Sequence, residues 1–162
     1  MIVYHGSVVP VKIPKIIKSN RMLDFGIGFY TTMNAEQADR WSEIVAYKRQ
    51  TDIRVITEYE FDLESAKNEL SVLSFNKPDD EWLDFVCMNR SGQIPEKSYD
   101  IAIGPVANDQ VFTVVTLYEQ GVLSKEAAIF ELRVRELYSQ TLFHTYKSLN
   151  YCQYIQHTTI GG

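Results

Sequence analysis

The feature that most constrains this chain is the irregular order in which strand-like and helix-like segments follow one another. Ile2 to His5 reads as a short strand, and Val8 to Pro14, with two prolines among β-branched residues, as extended loop. Asp24-Phe25-Gly26-Ile27-Gly28 supplies a turn, and Phe29 to Thr32 a strand after it. Asn34 and Gln37 have the spacing of an N-cap and its third-position partner, opening a helix that carries Ala35, Ala38, Trp41, Ile44, Val45 and Lys48. Trp41 is expected on the buried side of that helix.

Arg54 to Leu63 alternates as a strand, with Val55, Thr57, Tyr59 and Phe61 on one face. Pro78 and the acidic Asp79, Asp80 and Glu81 mark a helix start, since negative charge complements the positive end of the helix dipole. Trp82, Phe85, Val86 and Asn89 follow at helical spacing, and Gly92 ends the helix. Tyr99 to Ile103 reads as a strand closed by Gly104-Pro105. Asn108 then caps a helix with Val111, Val114, Val115 and Tyr118 in one stripe, stopped by Gly121. Ser124 caps a further helix running to Arg135, and Gln140 to His144 and Tyr151 to Ile155 are strands around a helical link at Tyr146 to Leu149. This order predicts a mixed α+β domain, because the regular strand-helix-strand alternation of a doubly wound parallel sheet is missing. Gly26-Ile27-Gly28 also precedes a strand and lacks a spaced third glycine, so it is not a dinucleotide fingerprint.

A chain of 162 residues that is 45% hydrophobic and 12% aromatic can bury one core, so residues 1–162 are read as a single domain. Sixteen Lys and Arg against 21 Asp and Glu leave a formal charge of −5, which argues against a broad basic face for nucleic-acid backbone. Cys87 and Cys152 are far apart and outside any metal-ligand spacing, so buried free thiols are expected and neither a metal nor a disulfide. The opening Met1-Ile2-Val3-Tyr4 is strand-like, and no apolar run approaches the roughly 18 residues of a membrane span. The expectation is a cytoplasmic protein without membrane association.

Three short patterns carry chemistry. Tyr4-His5-Gly6-Ser7 places a histidine at a strand end beside a glycine. Asp24 to Thr32 joins two glycines, which let backbone approach a ligand closely, to an aromatic strand. Ser139-Gln140-Thr141-Leu142-Phe143-His144-Thr145 is an apolar strand entered through a polar residue. Singly, each has a plain structural explanation: a surface or core histidine, a tight turn, an edge strand.

In this order the three resemble the H-Y-E class of ADP-ribosyltransferases, with His5, Tyr30 and Gln140 at the three motif positions. Trp41 follows Tyr30 by eleven residues, where that superfamily places a second aromatic ring. More narrowly, the run from His5 to about Tyr154 is similar to an uncharacterised bacterial family assigned to that superfamily and often found in toxin-like gene pairs; Asp100-Ile101-x-Ile103-Gly104-Pro105 belongs to the match. The resemblance implies an ADP-ribosyltransferase-like split β core of two packed sheets with flanking helices, and NAD as co-substrate in the cleft between them, without a metal. It implies a nicotinamide ring between Tyr30 and Trp41, His5 on the adenosine ribose, the Gly6 backbone on the carboxamide and Ser7 in support. Arg21 is a candidate for the pyrophosphate on charge grounds.

Gln140 departs from the pattern, since Glu is usual there. A Gln amide keeps hydrogen bonds and loses both charge and basicity, which disfavours chain elongation and leaves a single transfer, with Asp109 or the acceptor supplying a base. The leading expectation is therefore a mono-ADP-ribosyltransferase acting as a bacterial toxin component on a protein or nucleic-acid acceptor, with an antitoxin-like partner. The alternatives are an NAD glycohydrolase, an inactive module that binds NAD, ADP-ribose or a partner, and a small interaction domain whose motif residues are structural.

Overall fold

The computed structural model describes residues 1–18, 24–93, 96–105, 109–133 and 137–162. In chain order the elements are β1 (Ile2–Ser7), β2 (Phe29–Thr32), α1 (Ala35–Arg49), β3 (Arg54–Phe61), α2 (Leu63–Glu69), β4 (Val72–Ser74), α3 (Asp80–Arg90), β5 (Ile101–Pro105), α4 (Asp109–Glu119), α5 (Lys125–Arg133), β6 (Ser139–Phe143), α6 (Tyr146–Leu149) and β7 (Cys152–Ile160). The class is α+β. One seven-stranded sheet runs β4-β5-β6-β2-β1-β3-β7, antiparallel except where β4 meets β5.

Helix starts follow the local chemistry read from the sequence. The Asn34 side chain accepts from the Gln37 amide at 2.9 Å, Asp79 accepts from Trp82 at 3.0 Å, and Ser124 accepts from Ala127 at 3.1 Å, each satisfying an orphan donor of a first turn. Gly92 and Gly121 end their segments at φ of 74° each.

The sheet is folded on itself. β3 and β6 are three strand steps apart, about 14 Å in a flat sheet, yet the Phe61 and Phe143 rings meet edge to face with centroids 5.0 Å apart. Phe29 on β2 and Tyr59 on β3 meet in the same way at 5.6 Å. One apolar cluster fills the fold, built from Val3, Phe29, Tyr59, Phe61, Ile101 and Phe143 with α2 and α6 residues beside them. A second covers the other face of β5 and β6, where Ala102 and Leu142 pack against Trp82, Leu83, Val86, Val115 and Leu132 of α3 to α5.

Several boundaries differ from the reading above. The expected two sheets are hydrogen-bonded into one, and the pairing that joins β1 to β2 is Tyr4 with Thr32. β1 continues through Ser7, β5 includes Gly104 and Pro105, and β7 runs to Ile160. α2 and β4 were not anticipated: Asp62 caps α2 through the Ser65 amide at 3.1 Å, and the three residues of β4 pair with Ile101 to Ile103. On α1 the fully buried positions are Gln37, Ala38, Ser42 and Ala46, so Trp41 is half-buried and Ile44 is exposed. The small residues face inward because β1 comes very close there. The proposed cap Asn108 and the end of the helix at Arg135 lie outside the described residues. Both cysteines are free, Cys152 buried and Cys87 half-buried.

Candidate functional site

Local hydrogen bonding decides which way each strand of the site faces. Met1 exchanges two bonds with Phe61, its amine donating at 2.9 Å and its carbonyl accepting at 2.8 Å. Because an antiparallel ladder alternates, Val3, His5 and Ser7 turn their backbone groups to β3, and Tyr4 and Gly6 turn theirs to β2. The register that joins Tyr4 to Thr32 would set Gly6 opposite Tyr30, and that pairing does not form. Instead His5 Nδ1 donates to the Tyr30 carbonyl at 2.8 Å. The two strands thus leave an unpaired seam beyond Tyr4 and Thr32, and the alternation of β1 turns the backbone groups of Gly6 toward β2. Glycine is required here by α1, since a Cβ at position 6 would run into the Ala38 carbonyl.

His5, Tyr30 and Gln140 are thus brought to one region but not to one face. The His5 ring lies against Phe29 with centroids 4.6 Å apart, on the side of the folded sheet. A carbonyl only accepts, so Nδ1 carries the proton and Nε2 is left as an acceptor. Burial pushes the His5 pKa below its ordinary value, against the opposing pull of the Tyr30 carbonyl, which keeps the ring neutral. Tyr30 and Gln140 project from the opposite face, the side that carries α1 and the α3 to α5 cluster, because Tyr30 pairs with Leu142 and Thr32 with Gln140. The Tyr30 hydroxyl donates to the Gly26 carbonyl at 2.6 Å, and burial raises its pKa, so it stays a neutral phenol.

Gln140 is 3% exposed, and its buried Nε2 has no hydrogen-bond partner among the described residues. Thr32, opposite it on β2, donates through Oγ1 to the Ser139 carbonyl at 2.9 Å and accepts from the Asn34 amide at 3.1 Å. On the other side of β6, Gly104 faces Gln140 without a side chain. α1 reaches over the start of this strand, where the Arg40 guanidinium stands 5.8 Å from the centre of the Tyr138 ring.

Ser7 is buried and donates to the Val9 carbonyl at 2.7 Å, so its hydroxyl closes the turn after β1. Arg21 lies outside the described residues, as do the side chains of Asp109 and Gln110. Asp24, at the head of the turn before β2, is a further buried titratable group. Burial lifts its pKa to about 6, with Arg90 opposing and Glu119 adding to the rise. Arg90 stacks on Phe112 at 4.1 Å and donates to Thr116 at 3.1 Å, below the turn that Tyr30 anchors. The only signal for it in the sequence is an acid next to the buried Phe25.

A cavity of about 900 Å³ beside Met1, Glu60, Asp62 and Tyr151 is at the other end of β1. A smaller one of about 310 Å³ touches Ser139 and Thr141, whose side chains face away from that of Gln140. Among the described residues no group of His, Cys, Asp and Glu is arranged to hold a metal ion, and no helix is long and apolar enough to cross a membrane.

The family model described as "Protein of unknown function (DUF3990)" matches residues 1–154. The chain belongs to this family. No curated protein and no solved structure matches it. The DUF3990 match takes in both strands of the seam, α1 and all of β6, so His5, Gly6, Tyr30, Trp41 and Gln140 are all inside it.

Proposed function

We propose that this protein is a mono-ADP-ribosyltransferase that cleaves NAD at the bond between nicotinamide and ribose and passes ADP-ribose to a macromolecular acceptor. The observation that carries the reading is the buried, unpartnered Nε2 of Gln140. An unsatisfied buried donor costs about 1–3 kcal/mol, and such a group is retained where a ligand completes it. It lies on β6, across β2 from the seam toward which Gly6 turns one donor and one acceptor, the complement of a primary carboxamide. Tyr30 is on the same face, and Trp41, half-buried on α1, is the second ring of the resemblance. The fold-level part of the proposal, an ADP-ribosyltransferase-like core, draws support from the sheet folded at that seam.

In this reading the glycosidic bond breaks with its electron pair moving to the cationic ring, which leaves as neutral nicotinamide. Positive charge builds on the ribose, as in glycoside cleavage. Gln140 donates to a ribose hydroxyl and fixes the sugar, and the neutral Tyr30 and Trp41 rings hold the flat cation. The acceptor's oxygen or nitrogen then bonds to the anomeric carbon and releases its proton to its own surroundings, because an amide at 140 takes none. That same lack of basicity favours one other reading, a module that binds NAD or ADP-ribose without turnover. The resemblance adds a cytoplasmic toxin role with an antitoxin-like partner.

Calorimetric titration with NAD tests the site. Wild type is expected to bind, and folded Tyr30→Ala to bind more weakly by the ~0.5–1.5 kcal/mol of an aromatic pair beyond its buried area. Equal affinity in the two proteins would remove the ring assignment.

A further inference from the structure

The sheet ends in two edges that are built differently. At one end β4 is three residues long, and so short an edge offers little for another chain to pair with. At the other, β7 is nine residues long and among the described residues pairs along one side alone, with β3. Since Phe61 bonds to Met1 on β1's side, the alternation of β3 turns Arg54, Ile56 and Glu58 toward β7, where they meet Ile160, Thr158 and Gln156. His157 and Thr159, lying between, therefore turn their N–H and C=O away from the sheet. Ile155 is skipped between the pairs Tyr59–Tyr154 and Glu58–Gln156, a bulge that blunts the edge on that side and leaves 156–160 regular.

Nothing else blunts that regular stretch. β7 holds no Lys, Arg, Asp, Glu or Pro, the residues that keep an exposed edge from pairing. The chain as a whole carries −5, which holds copies apart, so an uncharged strand is where two of them can meet. We propose that β7 is a self-pairing edge, through which two copies join antiparallel over residues 156–160 into one continuous sheet with Thr158 on the two-fold axis. In this register His157 exchanges both backbone bonds with Thr159 of the second copy, and Thr159 does so with its His157, which satisfies every outward group of the regular stretch. The exposed Thr158 meets its own counterpart on the side of the sheet that α1 covers, because it lies opposite Ile56, and Ile56 opposite Gly6. Such a contact uses the same patch on both copies, so it closes at a dimer and does not grow into a filament. It is independent of the NAD reading.

Sedimentation velocity from about 1 μM to about 1 mM tests this, since an interface at the small end of the size range is expected to bind within that span. Wild type is expected to pass from monomer to dimer. Thr159→Pro removes only an outward N–H and leaves the ladder with β3 intact, and Thr158→Lys sets like charges opposite each other at the axis. Each is expected to weaken the dimer at least tenfold with Tm unchanged. Thr158→Cys gives a positive readout: the two thiols at the axis form one disulfide, passing two protons and two electrons to added glutathione disulfide, and the product is a covalent dimer. Gln153→Cys, on the same face but beyond the bulge, is expected to stay unlinked. Wild type that remains monomeric at the highest concentration, a dimer that either substitution leaves unchanged, or Gln153→Cys linking as fast as Thr158→Cys overturns the proposal.

Discussion

Thr32 and Gln140 face each other across β2 and β6, yet the threonine oxygen accepts from the Asn34 amide, and among the described residues the glutamine amide nitrogen meets no acceptor. A buried donor of this kind works against the free protein. Gln140→Met keeps the length of the side chain and removes both polar atoms, so it is expected to stabilise the ligand-free protein by roughly 1–3 kcal/mol. Thermal unfolding without ligand checks this, as a rise in Tm of about 2–4 °C per kcal/mol. A lower Tm would mean that Gln140 is a structural residue with a partner of its own.

Asp24 makes stability depend on pH in the direction opposite to an ordinary surface carboxylate. Its pKa is about 6 in the folded protein against 3.8 ordinarily, chiefly through burial. The penalty for the charged form is fully present above the folded value and is relieved as pH falls through 6 toward 4. Asp24→Asn is therefore expected to be more stable than wild type at neutral pH by on the order of 1–3 kcal/mol, with the difference shrinking through pH 6 and gone near pH 4. Denaturant titrations at three pH values measure it, and a pH-independent difference would remove the burial argument.

Two glycines should differ in what they tolerate. Gly6→Ala drives a Cβ into the Ala38 carbonyl, a backbone atom that moves only if α1 moves. Gly104→Ala brings a Cβ to 3.1 Å from both the Phe25 ring and Phe75 Cβ, contacts that a shift of a few tenths of an ångström relieves. The first is expected to cost about 3 kcal/mol or more and the second about 1 kcal/mol, from the range for overpacked cores. Paired unfolding curves rank them, and equal losses would contradict the close packing of α1 on β1.

How much of this was legible in the sequence depended on the range of the interactions involved. Caps such as Asn34 with Gln37 and Asp79 with Trp82 are made within three residues and could be read directly. The strand of Gln140 was placed correctly because its neighbours are apolar, and its pairing with Thr32 sets it two residues from the position opposite Tyr30. Trp41, whose hydrophobicity points to the buried side of α1, is half-buried because the close approach of β1 favours the small Ala38, Ser42 and Ala46 there. β4 escaped notice because three residues carry no periodicity and are held by β5, about 30 residues away. The bond from the His5 imidazole to a carbonyl 25 residues on could not be read at all, since nothing local to either residue marks it.

In the proposed reaction Gln140 holds the ribose of NAD while the bond to nicotinamide breaks. It is tested most directly by incubating the purified protein with NAD and quantifying free nicotinamide by chromatography, for wild type and Gln140→Met in parallel. Wild type is expected to release nicotinamide above the rate in buffer, and folded Gln140→Met to release it at least tenfold more slowly. Release from wild type no faster than in buffer, or equal rates from the two proteins, would contradict the account.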